Sequence, residues 1–126
     1  MLARKAVVIV ETEIIISLSM QAALQNHGIE DVIIMTSPRD FAARGMSWSD
    51  IAFAILELER DRAEAIALIR AAREHDVPVL GLTADSRLEK GMSEFPDMPI
   101  LVKPVPDQTL MEAVSALKLT RSNQNE

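Results

Sequence analysis

The stretch Ile51-Ala52-Phe53-Ala54-Ile55-Leu56-Glu57 (IAFAILE) decides the fold of this chain. Six apolar residues in succession are closed by a carboxylate. A run that is apolar at every position suits a strand covered on both faces, which is the environment of a parallel sheet. Four other runs share that character: Ala6–Val10 (AVVIV), Val32–Met35, Val77–Leu82 and Pro99–Val102. Amphipathic stretches lie between them. Ile16, Met20, Ala23 and Leu24 recur at helical spacing, with Gly28 as the stop. Ser37-Pro38 reads as an N-cap followed by the first position of a short helix that closes near Gly45, with Asp40 at its positive end. Asp61–His75 is the clearest helix: Ala65, Leu68, Ile69 and Ala72 form one stripe. Asp61 and Glu64 start it, and Arg70, Arg73 and His75 end it, as the macrodipole favours. Asp85–Gly91 allows two turns at most. Asp107–Leu119 carries Leu110, Ala113, Val114 and Leu117 on one face.

The order βαβαβαβαβα with right-handed crossovers gives a three-layer α/β domain: five parallel strands and five helices on both faces. Residues 1–119 form that domain, and residues 120–126 read as a polar, frayed tail. At 126 residues and 48% apolar composition, the chain is long and apolar enough for one core, and general disorder is excluded. There is no cysteine, so thiol chemistry and disulfides are excluded. A net charge of −6 and three Phe with one Trp argue against nucleic-acid binding. No run is long enough for a membrane span, and a cytoplasmic protein is the expectation.

In a sheet of this kind the site lies at the carboxyl ends of the strands. Glu11-Thr12-Glu13 follows the first strand, Glu57 closes the third, Thr83-Ala84 follows the fourth, and Lys103-Pro104 follows the fifth. In these segments (VIVETE, AILELE, GLTA and LVKP) the chain resembles a response-regulator receiver domain over about residues 4–119. The resemblance implies a flavodoxin-like sandwich with strand order 2-1-3-4-5. It also implies site roles: Glu57 at the phospho-acceptor position, Glu11 and Thr12 in place of the acidic pair, and Thr83 and Lys103 as the switch and phosphate-contact residues. Partners would be proteins of a signalling pathway, a sensor kinase or a downstream regulator.

The sequence departs from the receiver pattern where the chemistry is done. Receivers carry Asp where this chain has Glu57, and a second carboxylate where it has Thr12. Ile100 stands where many receivers place a switching aromatic. Phosphoryl transfer to a carboxylate needs an in-line oxygen and a divalent cation. Magnesium wants carboxylate ligands at about 2.0–2.1 Å. One extra methylene moves the acceptor oxygen, and a misplacement of about 1 Å can cost ~100-fold. No catalysis is therefore expected, and magnesium should bind weakly at most, with Glu11 and Glu57 its only candidate ligands. A Glu57–Lys103 pair is expected, with Thr83 as a further hydrogen-bond donor. Glu57 would then place about −1 where a phospho-Asp carries about −2.

The expected function is a stand-alone pseudo-receiver of two-component-like signalling, working through phosphorylation-independent protein contacts. A phosphorylation-competent single-domain regulator is the alternative, then a small flavodoxin-like enzyme or nucleotide binder. The last is disfavoured because Glu11-Thr12-Glu13 has no glycine and would repel a phosphate. His27 and His75 read as helix C-terminal residues, Glu13 as a first-turn residue, and Trp48 as packing. Ile14, Ile15 and Leu18 add apolar surface to helix one, making it unusually buried or a contact surface, with a homodimer as one possibility.

Overall fold

The computed structural model describes residues 5–58 and 62–124, with side chains as far as Leu117. Five strands form one sheet: β1 (Ala6–Val10), β2 (Val32–Met35), β3 (Ile51–Glu57), β4 (Val79–Thr83) and β5 (Ile100–Val102). All neighbours are parallel, in the order β2-β1-β3-β4-β5. The α-helices are α1 (Ile14–Asn26), α2 (Arg39–Ala43), α3 (Arg62–Glu74) and α4 (Asp107–Gln124).

The all-apolar runs are explained by two separate cores. Val8 and Val10 of β1 join Met35, Phe41, Ala54, Leu56, Ile69 and Ala72 in the layer shared with α2 and α3. Val7 and Ile9 point the other way, to Met20, Leu24, Phe53, Ile55, Leu82, Leu110 and Val114 under α1 and α4. A strand residue facing either way is therefore buried, so both parities must be apolar.

The described residues form four α-helices where five were expected. Between β4 and β5 the chain makes only a 3-10 turn, Ser86–Lys90, and Gly91 then takes a positive φ of 119°. Met92, Phe95 and Met98, spaced by three, turn inward and are buried beside Ile100. The segment thus plugs the sheet edge with three side chains instead of laying a helix over it. Gly81 of β4 lies under this plug: a Cβ there would meet Leu58 Cδ1 at 2.9 Å and Met98 Cε at 3.3 Å.

Several boundaries move for local reasons. β4 begins at Val79, not Val77, because the Val77 N–H closes α3 on the Ala72 carbonyl at 2.8 Å and Pro78 has no N–H to give. It runs one residue further, to Thr83, and β5 starts at Ile100 after Pro99. Helix α2 starts at Arg39 with Pro38 at the N-cap position, one residue later than expected. Ser37 still serves that end, since its hydroxyl accepts the Arg39 N–H at 3.2 Å. Helix α4 continues to Gln124, five residues past Leu119. Asp61, expected to open α3, lies outside the described residues. His27 and His75 sit at the ends of α1 and α3, each with Nδ1 on the carbonyl four residues back (Ala23 at 3.0 Å, Ala71 at 2.8 Å). Trp48 packs on the Phe41 ring at 4.2 Å between centroids. Among the described residues, no helix is long and apolar enough to cross a membrane.

Candidate functional site

Strand register assembles the site. Val10 of β1 lies beside Leu56 of β3, so Glu11 and Thr12 emerge next to Glu57. Thr83 pairs with Val102, and the Lys103 N–H donates to the Thr83 carbonyl at 2.7 Å, which delivers Lys103 to the same end of the sheet. Glu11 is fully buried, and Glu57 and the Lys103 side chain are each 8% exposed.

Lys103 is the hub. Its Nζ donates to Glu11 Oε1 at 3.0 Å and to Glu57 Oε2 at 3.2 Å, and lies 3.8 Å from Glu13 Oε1. The pair expected between Glu57 and Lys103 is present, but the lysine is shared with Glu11. The other Glu11 oxygen, Oε2, accepts the Glu13 N–H at 3.0 Å, which ties the β1–α1 loop to the site.

Thr12 has a role that the sequence did not disclose. Its N–H donates to Glu57 Oε1 at 3.2 Å, and its hydroxyl lies 2.9 Å from Oε1 and 3.2 Å from Oε2. The threonine is a donor to Glu57, not merely a missing carboxylate. The only sequence signal was the coincidence of two changes: a longer acid on β3, and a hydroxyl where a second acid would repel it.

Thr83 does not take its expected part. It is fully buried, and its hydroxyl accepts the Asp85 N–H at 2.9 Å, tying down the chain as it enters the 3-10 turn. Among the described residues, the hydrogen bonds to Glu57 come from Thr12 and Lys103 instead. Glu13, expected as a plain first-turn residue, is the N-cap of α1 and the exposed third carboxylate of the cluster.

Burial and pairing pull the two buried acids apart. Burial pushes the Glu11 carboxyl above the usual carboxylate range. The Glu13 N–H and Lys103 offset this only in part, and neighbouring Glu57 adds to the rise. Burial acts on Glu57 too, but the hydrogen bonds it accepts from Thr12 and Lys103, with neighbouring Glu11 acting in the same direction, outweigh it and hold Glu57 below that range. Burial would lower Lys103, yet Glu11 and Glu57 more than compensate and raise it. The site favours the ionised form of Glu57 and the protonated form of Lys103, and Glu11 takes up a proton more readily than usual.

Oxygens of Glu11, Glu13 and Glu57 lie within 4.8 Å of one another, a donor set chemically suited to a hard cation. The geometry does not fit magnesium. The Lys103 ammonium contacts all three carboxylates, and both Glu57 oxygens already accept hydrogen bonds. A divalent ion on these oxygens would sit against that ammonium, and Thr12 supplies no charge to offset the repulsion.

No family model matches the chain, and no curated protein matches it in sequence. Solved structures do. A response regulator receiver protein from Sinorhizobium medicae WSM419 is similar at 22% identity, with a TM-score of 0.74 over 96% of this chain and 99% of that one. A response regulator from Thermotoga maritima is similar at 23% identity and a TM-score of 0.71, over 91% and 98% of the two chains. The Vibrio cholerae chemotaxis protein CheY4 aligns at 20% identity and a TM-score of 0.71, over 91% and 99%. The fold of this chain is the flavodoxin-like fold of response-regulator receiver domains.

Proposed function

We propose that this chain is an atypical receiver domain that signals through protein contacts and does not pass through an acyl phosphate. The observation that carries the reading is the engagement of Glu57: Lys103 Nζ at 3.2 Å and the Thr12 hydroxyl at 2.9 Å hold its carboxylate. Attack on a phosphodonor needs one carboxylate oxygen free and in line, with a cation to neutralise the transferring group. Here both oxygens are committed, and the local cation is a lysine that stabilises the carboxylate itself. Glu57 occupies the acceptor position as a carboxylate of charge about −1. The lysine contact that a phosphoryl group would recruit is thereby made in the unmodified chain.

On this reading the domain has no enzymatic activity and needs no magnesium. Its output is the surface held by the Glu57–Lys103 contact, and its partners are signalling proteins in the cytoplasm, a kinase or a downstream regulator. Incubation with acetyl phosphate and magnesium, followed by intact-mass spectrometry, tests the reading. No added phosphoryl mass is expected. A stoichiometric, magnesium-dependent adduct mapped to Glu57 overturns it in favour of a phosphorylation-competent regulator.

A further inference from the structure

Helix α3 ends in an arginine pair that the fold leaves without a counter-charge. Arg39, Arg62 and Arg87 each hold a carboxylate, on Glu64, Glu94 and Asp85. Arg70 and Arg73 do not. Both are exposed, and among the described residues neither forms an ion pair or finds an acceptor for its side-chain N–H groups. They turn to one aromatic ring instead: Arg73 Cζ lies 5.0 Å and Arg70 Cζ 5.9 Å from the Phe95 centroid. Phe95 is buried in the plug, so this platform is fixed. Its neighbour Glu94 is already held by Arg62 through both oxygens, at 2.9 and 3.0 Å.

Three apart on a helix, the two arginines are surface neighbours, about 5–6 Å between Cβ atoms. Two like charges held this close repel, and the electron-rich face of the ring offsets only part of that. An anion between them offsets the rest. Stacking uses the face of a guanidinium and leaves the N–H donors, which lie in its plane, able to bond. The ring also restricts both side chains in advance, so less entropy is lost when an oxyanion docks.

The surroundings select the anion. Glu74 and Asp76 follow the pair on α3, and Asp97 stands on the plug side. An extended polyanion such as a nucleic acid would meet those carboxylates, on a chain of net charge −6. A single carboxylate that reaches only the arginines avoids them. Beside Arg73 a groove of about 560 Å³ opens between the end of α3 and α4, with Val77, Val79, Met98, Pro99 and Ala113 in its walls. A free anion would leave that apolar surface in water. An acidic side chain next to an apolar one, on a protein segment, uses both.

We propose that Arg70 and Arg73, stacked on Phe95, dock a carboxylate of a partner protein whose neighbouring apolar side chain enters the groove beside Arg73. The groove lies at the amino end of β4, away from the Glu57–Lys103 site, and the proposal stands whether or not Glu57 accepts a phosphoryl group.

NMR titration of the full chain with the end-blocked peptide Leu-Glu-Glu-Leu tests this. The Nε–Hε signals of Arg70 and Arg73 and the methyl signals of Val79 and Met98 should shift together and saturate with a dissociation constant on the order of 1 mM. Arg70→Gln and Arg73→Gln should each weaken binding about tenfold, the loss of one charge-assisted contact. Phe95→Leu keeps the plug apolar and both arginines in place but removes their platform, and should weaken binding severalfold. Melting curves check that each variant folds. The peptide Leu-Gln-Gln-Leu, inorganic phosphate and a thymidine octanucleotide should all bind about tenfold more weakly or less. Peptide binding that survives loss of both arginines overturns the proposal, as does a wild type that binds no peptide. Phosphate or the oligonucleotide binding as tightly as the peptide overturns it too, in favour of a free anion or a nucleic acid.

Discussion

Lys103→Met and Glu57→Gln should destabilise the protein unequally, and the inequality is set by the sharing of the lysine. In Glu57→Gln, Lys103 keeps Glu11 at 3.0 Å, and the amide oxygen can still accept from Thr12. The loss is one charge-assisted contact, about 1–2 kcal/mol. In Lys103→Met, two buried carboxylates face each other without a cation. Removing one side of such a group costs about 3–5 kcal/mol. Glu11 limits the loss to the lower end of that range, since its carboxyl already lies above the usual range and takes up a proton. The double variant should be less destabilised than the sum of the singles by about 1–2 kcal/mol. Urea unfolding followed by Trp48 fluorescence reads all four proteins, and each kcal/mol should move the thermal midpoint by about 3–5 °C. The Lys103→Met penalty should also shrink as pH falls, because both carboxylates then become neutral. If the singles are each under about 0.5 kcal/mol and additive, there is no buried ion pair. If Glu57→Gln costs more than Lys103→Met, the lysine is not shared with Glu11. Either result refutes the reasoning.

Three further outcomes are expected. Thr12→Ala removes the hydroxyl from Glu57 and should cost about 1–1.5 kcal/mol, and the Glu57 pKa should rise, measurable by side-chain carboxyl NMR titration. Lys103 is raised in the folded state, so its stabilisation is fully present below the ordinary lysine range and is lost as pH rises through the folded value. The chain has no tyrosine or cysteine to mask this; urea midpoints of the wild type should fall above about pH 10.5, and those of Lys103→Met should fall less. Gly81→Ala drives a methyl to 2.9 Å from Leu58 Cδ1 and 3.2 Å from Ile100 Cγ1, and overpacking there should cost about 1–3 kcal/mol in a urea melt.

Sequence alone determined the sheet and the location of the site. AVVIV and IAFAIL are apolar at both parities, and a strand needs that only when both of its faces are covered. Once the strands are parallel, their carboxyl ends share one side, so Glu11, Glu57, Thr83 and Lys103 had to converge there. Tertiary structure decided what those side chains do to one another. Whether Thr12 reaches Glu57 depends on the Val10–Leu56 register and on the length of a glutamate, differences of an ångström that residue spacing does not encode. Thr83 could have served Glu57 or the chain beyond it, and the Asp85 N–H lies within its reach. The missing fifth helix was only half legible. The span Asp85–Gly91 allowed two turns at most, but Met92, Phe95 and Met98 show their purpose only when the edge of the sheet they cover is in place. Helix α1 divides in the same way. Its apolar excess is written in the chain, but only the packed fold shows Met20 and Leu24 turned inward and Ile15 left in water, because burial depends on what the opposite face meets.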